Sequence, residues 1–266
     1  MAKKAEQPPS LLFDNRWILF FTGTALLSAA YWMEQWPLLA FIALIPGFAL
    51  ASHSSAHEKI LELTELLLFV FGIALVVGYR FDLSKIFPIV GLALVFTLPF
   101  VLFVFSRVGG GPLTSNFLIV IYWLAVEYVL LKIISALQIN PGTYPVFISD
   151  LLINRPEWFR WDAKTGYLAV SFWILLTNWI GYQLISKPFR WMLLVILILI
   201  VAGPLAFGYW STAVGITRND MITLYTSNET AISSYALHGE WIGRTCAWVS
   251  VLVLLFSSIR FKTKKK

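Results

Sequence analysis

The sequence predicts an all-α fold: a polytopic integral membrane helical bundle of about eight transmembrane helices, with both termini cytoplasmic. Three observations carry this. Of 266 residues, 59% are hydrophobic and 13% charged, against roughly 45–50% and about 25% in a soluble domain. The apolar residues form continuous runs, unlike the alternating strands of a transmembrane barrel. The cations gather on alternate connections between those runs. A soluble enzyme and a disordered chain are excluded. So is a disulfide-stapled secreted domain, because Cys246 is the only cysteine.

A spanning helix needs roughly 17–25 mostly apolar residues, and eight runs approach that. Residues 1–16 form a polar arm. The first run, Trp17–Tyr31, ends in a small-x-small pattern at Ser28-Ala29-Ala30. The long arm with Glu6, Gln7, Pro8, Pro9 and Asp14 is unlike a signal-peptide leader, so the run reads as a span. The second, Trp36–Ala51, opens on Pro37. Both are short, and a re-entrant hairpin is the alternative to two crossings. The third is Leu63–Tyr79 and the fourth Ile86–Phe105. The turn Gly109-Gly110-Gly111-Pro112 follows; it lacks the Lys-Ser/Thr of a phosphate loop. The fifth is Phe117–Leu137, the sixth Gly166–Ile185, the seventh Trp191–Phe207 and the eighth Ile242–Ile259. Pro99 and Pro204 predict kinks in the fourth and seventh. The connection Gln138–Thr165 is rich in Pro and Trp, which places it at headgroup level. The chain thus divides into the arm 1–16, a seven-helix bundle 17–208, a polar extracytoplasmic loop 209–241, and a last helix with a basic tail, 242–266.

With the N-terminus inside, the cytoplasmic segments hold Lys3, Lys4, Arg16, Lys59, Arg107, Lys187, Arg190, Arg260, Lys262, Lys264, Lys265 and Lys266. The opposite loops hold only Arg80, Lys85, Arg155, Arg160, Lys164 and Arg218. This asymmetry orients the chain. It also accounts for much of the net charge of +6 without nucleic acid; the basic tail suits anionic headgroups.

Catalytic and metal-binding groupings are sparse. His53 and His57 stand at a helical ligand spacing, but only Glu58 and Glu62 are near, and solvated loop histidines are the simpler reading. His238 stands alone. Cys246, beside Arg244 at the start of the eighth run, reads as a small packing residue. Glu127 differs, because it lies in the middle of the fifth run. A carboxylate at that depth must face protein or water. It is either hydrogen-bonded to a neighbouring helix or a polar anchor beside a lipid- or substrate-binding cavity. Lys132 lies about 140° around the helix and is a poor partner; Asn178 is the candidate. No cofactor is expected.

Four segments, in order, resemble the membrane part of the apolipoprotein N-acyltransferase family. They are Trp36-Pro-Leu-Leu-Ala-Phe-Ile-Ala-Leu-Ile-Pro46, then Leu98-Pro99-Phe100 with Trp123-Leu-Ala-Val-Glu127-Tyr128. The Trp158–Asn178 stretch with Thr165-Gly166 and Ser171-Phe-Trp173 follows, then Tyr235-Ala-Leu-His-Gly239-Glu240-Trp241. The resemblance implies eight spans in a bacterial inner membrane and a scaffold that opens sideways to phospholipid and lipoprotein. The family's catalytic domain, with a Glu-Lys-Cys triad, lies between its last two helices. Here that interval is Tyr209–Trp241, without Cys or Lys, so no catalytic residue carries over. Leu130 also replaces the family's Arg after the membrane Glu, and Pro141-Gly-Thr-Tyr-Pro145 replaces a Trp-Pro-Trp-type loop.

The resemblance therefore implies a non-catalytic relative that binds membrane phospholipid or lipoprotein, or scaffolds a protein partner in the membrane. Glu127, Trp158, Trp161, Trp173 and Asn178 would line or brace its cavity. The alternative is a lipoprotein N-acyltransferase component that works with a separately encoded nitrilase-like subunit. A transporter would call for paired midplane charges or a repeat, and neither is present in the sequence.

Overall fold

The computed structural model describes residues 15–33, 36–53, 60–108, 115–137, 146–152, 155–158, 161, 165–186, 188, 190–210 and 240–264. The described residues form eight α-helices, four short 3-10 segments and no strand. The helices are α1 (Arg16–Trp32), α2 (Ile45–His53), α3 (Ile60–Gly78), α4 (Ile86–Val108), α5 (Phe117–Ala136), α6 (Tyr167–Ser186), α7 (Trp191–Trp210) and α8 (Trp241–Lys264). Six of them, α3 to α8, are long and apolar enough to cross a membrane. The described part of the chain is thus all-helical, and its six long apolar helices mark a multi-pass membrane protein.

The first two expected spans are shorter. α1 has 17 residues and begins at Asn15, whose side chain accepts a hydrogen bond from the Trp17 N–H. The second is broken: a 3-10 segment Pro37–Phe41, a turn, and then α2 of nine residues. Pro37 opens the 3-10 segment and Pro46 sits in the first turn of α2, the positions where a missing N–H costs least. Even so, the chain runs the length of the bundle. Trp36 stands by Trp32 at one end of α1. At the other end, Arg107 donates to the Ser52 carbonyl and the Tyr182 hydroxyl to Ser52 Oγ. The helices cross there on small residues, as membrane helices do. A Cβ on Gly23 would lie 3.3 Å from Pro46, and one on Gly181 2.9 Å from Ile45.

Six helices close a ring. α1 packs on α3, α3 on α4, α4 on α5, α5 on α6, α6 on α2, and α2 back on α1. α8 lies outside, against α5 and α4, and α7 touches α6 and the 3-10 segment Pro156–Trp158. Only 6% of α7 is buried, the value for a helix that faces hydrocarbon. The ring is filled with aromatics. Trp123 stacks on Phe96 at 5.5 Å and meets Phe71 and Phe100 edge-on, while Phe48 joins Phe100 to Tyr182. Such pairs add about 0.5–1.5 kcal/mol each beyond burial.

One expectation is corrected. The connection between α5 and α6 does not stay at headgroup level throughout, because Val146–Asp150 and Leu152 are buried in the bundle. Irregular backbone is tolerated at membrane depth only where protein supplies its hydrogen bonds, and two carboxylates do so here.

Candidate functional site

Glu127 sits mid-way along α5, 0% exposed. Its Oε1 accepts from Trp123 Nε1 at 3.0 Å and from the backbone N–H of Ile148 at 2.7 Å. The first bond follows from helix geometry, since residues four apart share a face. The second fastens the inserted segment. Asp150 completes the fastening: its Oδ2 accepts from the N–H groups of Val146 (2.6 Å) and Phe147 (2.9 Å), and the Tyr167 hydroxyl donates to its Oδ1. Three backbone donors that could not be left bare in an apolar core are satisfied in this way. Ser171 of α6 lies beside the Glu127 carboxylate, outside hydrogen-bonding geometry. Tyr31 of α1 is within electrostatic reach of both acids.

Asn178 does not partner Glu127. It is fully buried and bonded elsewhere: its Oδ1 accepts from the Leu44 N–H at 2.8 Å, and its Nδ2 donates to the carbonyls of Ala40 (2.8 Å) and Ile174 (2.9 Å). One amide thus holds the break between the 3-10 segment and α2. Lys132 does not approach Glu127 either; its ammonium lies 5.6 Å from the Tyr128 ring centre, near Glu240 and Arg244.

The three tryptophans come together. Trp161 meets Trp173 edge-on at 5.8 Å and donates to the Trp158 carbonyl at 3.2 Å; Trp173 also packs on Phe41 at 4.7 Å. Trp173 Nε1 donates to the Ile200 carbonyl at 2.6 Å. Pro204 lies four residues beyond Ile200 and has no N–H to return to that carbonyl. The indole therefore fills the gap that proline opens in α7. At the far end of the same helix, the Glu157 and Trp158 carbonyls come so near Gly208 that a Cβ there would be 2.7 Å from either.

Glu240 is a residue whose position the sequence shows without its role. It is 2% exposed, accepts the Arg244 N–H on its carbonyl, and its carboxylate accepts from the Leu168 N–H at 3.4 Å. An acid at the first turn of α6 suits the helix dipole. Gly243 lets α8 close on α5 and α6; a Cβ would be 2.6 Å from Leu168 and 2.8 Å from Tyr128. Asp150 and Tyr31 were missed by sequence reading. The signal for Asp150 was an acid embedded in the apolar run Val146-Phe-Ile-Ser-Asp150-Leu-Leu-Ile153. Tyr31 carried none.

A cleft of about 530 Å³ opens at the C-terminal ends of α1 and α3. It is lined by Tyr31, Trp32, Met33, Trp36, Val77, Gly78 and Arg80. Tyr31, one of these residues, is within electrostatic reach of Glu127 and Asp150. Arg80 and Phe81 turn the chain there with φ of 54° and 60°, a conformation that costs side-chain-bearing residues of order 1–3 kcal/mol each. The turn continues into Asp82. Its carboxylate is held below the usual range by the Ser84 hydroxyl (2.6 Å) and the Ser84 N–H (3.0 Å).

Among the described residues, no three His, Cys, Asp or Glu side chains gather as a metal would require. His53 ends α2, while His57 and His238 lie outside the described residues. Cys246 is half-buried in α8. No protein-family model, curated protein or solved structure matches the chain. The resemblance to the N-acyltransferase membrane domain rests on its motifs alone.

Proposed function

We propose that this protein is a lipid-binding scaffold of the membrane, and that the cleft between α1 and α3 receives the polar end of its ligand. The carrying observation is the lining of that cleft. Trp32 and Trp36 are amphipathic rings of the kind that settle at headgroups. Arg80 offers a planar fork suited to phosphate or carboxylate. Beyond the cleft, exposed apolar side chains such as Trp17, Phe21 and Phe69 flank the α1–α3 seam, which suits acyl chains. The segments behind the resemblance also converge. Asn178 holds the Trp36–Pro46 segment, Trp123 stacks among Phe96 and Phe100, and Glu240 meets Leu168. Lipoprotein as ligand, and the bacterial inner membrane as location, follow from the resemblance.

The test is purification of the full chain from its source membrane in a mild detergent, with mass spectrometry of the lipids and proteins retained. One lipid class should be enriched over the bulk membrane, and Arg80→Ala or Trp36→Ala should lose that enrichment. Lipids retained in bulk proportion by all three proteins would end the proposal.

A further inference from the structure

The α1–α3 seam opens into a second cleft at its other end. It measures about 860 Å³ and lies between the N-terminal turns of the two helices. Its apolar walls include Trp17 and Phe20 of α1, edge-on to each other at 6.1 Å, and Phe69 of α3. Its charged lining is Arg16, Glu62 and Glu65. Arg16 and Glu62 form an ion pair from one helix to the other. Glu65 stands three residues after Glu62 and four before Phe69, so the three share one face of α3. It is exposed, and among the described residues it enters no ion pair. Yet it is the sixth residue of a helix long and apolar enough to span the membrane, about 7–8 Å from its start at 1.5 Å per residue. A carboxylate on the outer surface of such a helix is costly unless a cation meets it.

We propose that this cleft binds the primary ammonium group of a membrane amphiphile, with Glu65 as the carboxylate that receives it. Arg16 and Glu62 cancel each other's charge, which leaves the charge of Glu65 to be matched. The lining therefore attracts a cation and disfavours an anionic headgroup. A primary ammonium donates charge-assisted hydrogen bonds to a carboxylate, whereas a quaternary one has no N–H to give. A metal ion is the poorer occupant. Among the described residues, no three His, Cys, Asp or Glu side chains gather around one place, and a cleft with aromatic walls calls for an apolar body with a polar end. Arg16 gives Glu62 one N–H bond, and a guanidinium carries five donors, so a phosphate beside the ammonium would find the others. The ammonium belongs either to an aminophospholipid or to a free long-chain amine, and both lay a hydrocarbon chain toward Phe69. The site shares no residue with the Arg80 cleft, and either can fail alone.

The experiment is native mass spectrometry of the full chain, delipidated in a mild detergent. Phosphatidylethanolamine, phosphatidylcholine, phosphatidylglycerol and dodecylamine are each titrated. An Arg80→Ala background keeps the other cleft from contributing. Phosphatidylethanolamine should bind about tenfold more tightly than the other two phospholipids, the worth of one charge-assisted hydrogen bond. Glu65→Gln, an isosteric change at an exposed position, should erase that preference. Trp17→Ala should weaken phosphatidylethanolamine severalfold. Dodecylamine should compete with phosphatidylethanolamine, and Glu65→Gln should weaken it as well. Dodecylamine bound through Glu65, with no preference among the phospholipids, would assign the site to a free amine. A phosphatidylethanolamine preference that survives Glu65→Gln, or no dependence of any of the four probes on Glu65, would overturn the site. Phosphatidylcholine binding as tightly as phosphatidylethanolamine, with both weakened by Glu65→Gln, would overturn the assignment to a primary ammonium.

Discussion

A single buried amide does the work of a cap in Asn178. It meets the Leu44 N–H and the Ala40 and Ile174 carbonyls where α2 breaks from the 3-10 segment. Asn178→Ala strands one buried donor and one buried acceptor, and should cost roughly 2–4 kcal/mol, read as a lower Tm in detergent. Asn178→Asp should be nearly as harmful, since a carboxylate keeps the bond from Leu44 but cannot donate to Ala40. The sequence showed that Glu127 and Asn178 needed partners, because a polar side chain inside an apolar run is costly alone. It did not show which partners. Glu127 finds the Ile148 N–H, 21 residues away across a connection whose composition resembles a surface loop. Only the tertiary path of that loop, set by Asp150 holding its own turn, brings the two together.

Helix α7 is held by its defects. Its run of Leu, Ile and Val faces outward, and its attachments to α6 and the Pro156–Trp158 segment fall at Pro204 and Gly208. Trp173→Phe should cost about 1 kcal/mol, the worth of one hydrogen bond in this setting. In a Pro204→Ala background α7 supplies its own N–H to Ile200, so the same change should cost nearly nothing. Equal costs in the two backgrounds would show that the indole bond does not serve the proline gap. Gly208→Ala should be worse than either. The groups in its way are the Glu157 and Trp158 carbonyls, which cannot rotate aside. It should detach the tryptophan segment, read as faster cleavage near Glu157 by a glutamate-specific protease. Long helices were legible from run length alone, and α3 to α8 fall within a few residues of their expected bounds. The broken second element was not, because Pro37 and Pro46 bracket a run too short to reveal where the helix resumes.

The bundle runs its helix ends in a consistent order. Arg16, Ser52, Glu62 and Arg107 share one end, with the Arg16–Glu62 ion pair and the Arg107 bond to Ser52. Glu240 and Leu168 begin their helices at the other. α1 therefore starts, and α8 finishes, at the same end. The excess of lysine and arginine on the corresponding segments predicts that this end faces the cytoplasm. In Cys246→Ser with Lys264→Cys, an impermeant maleimide should label inside-out vesicles and leave intact cells unlabelled; the reverse pattern would invert the orientation. The ring of six helices, α1 to α6, is closed by residues that all precede α7. The ring can therefore close before α7 and α8 are made. α8, which follows α7 in the chain, packs chiefly on α5 and α4, with Gly243 against Tyr128. The order of synthesis and the order of neighbours part company at that point. A chain stalled before residue 240 should already bury its aromatic centre while leaving one flank of α5 open to whatever quality control patrols the bilayer.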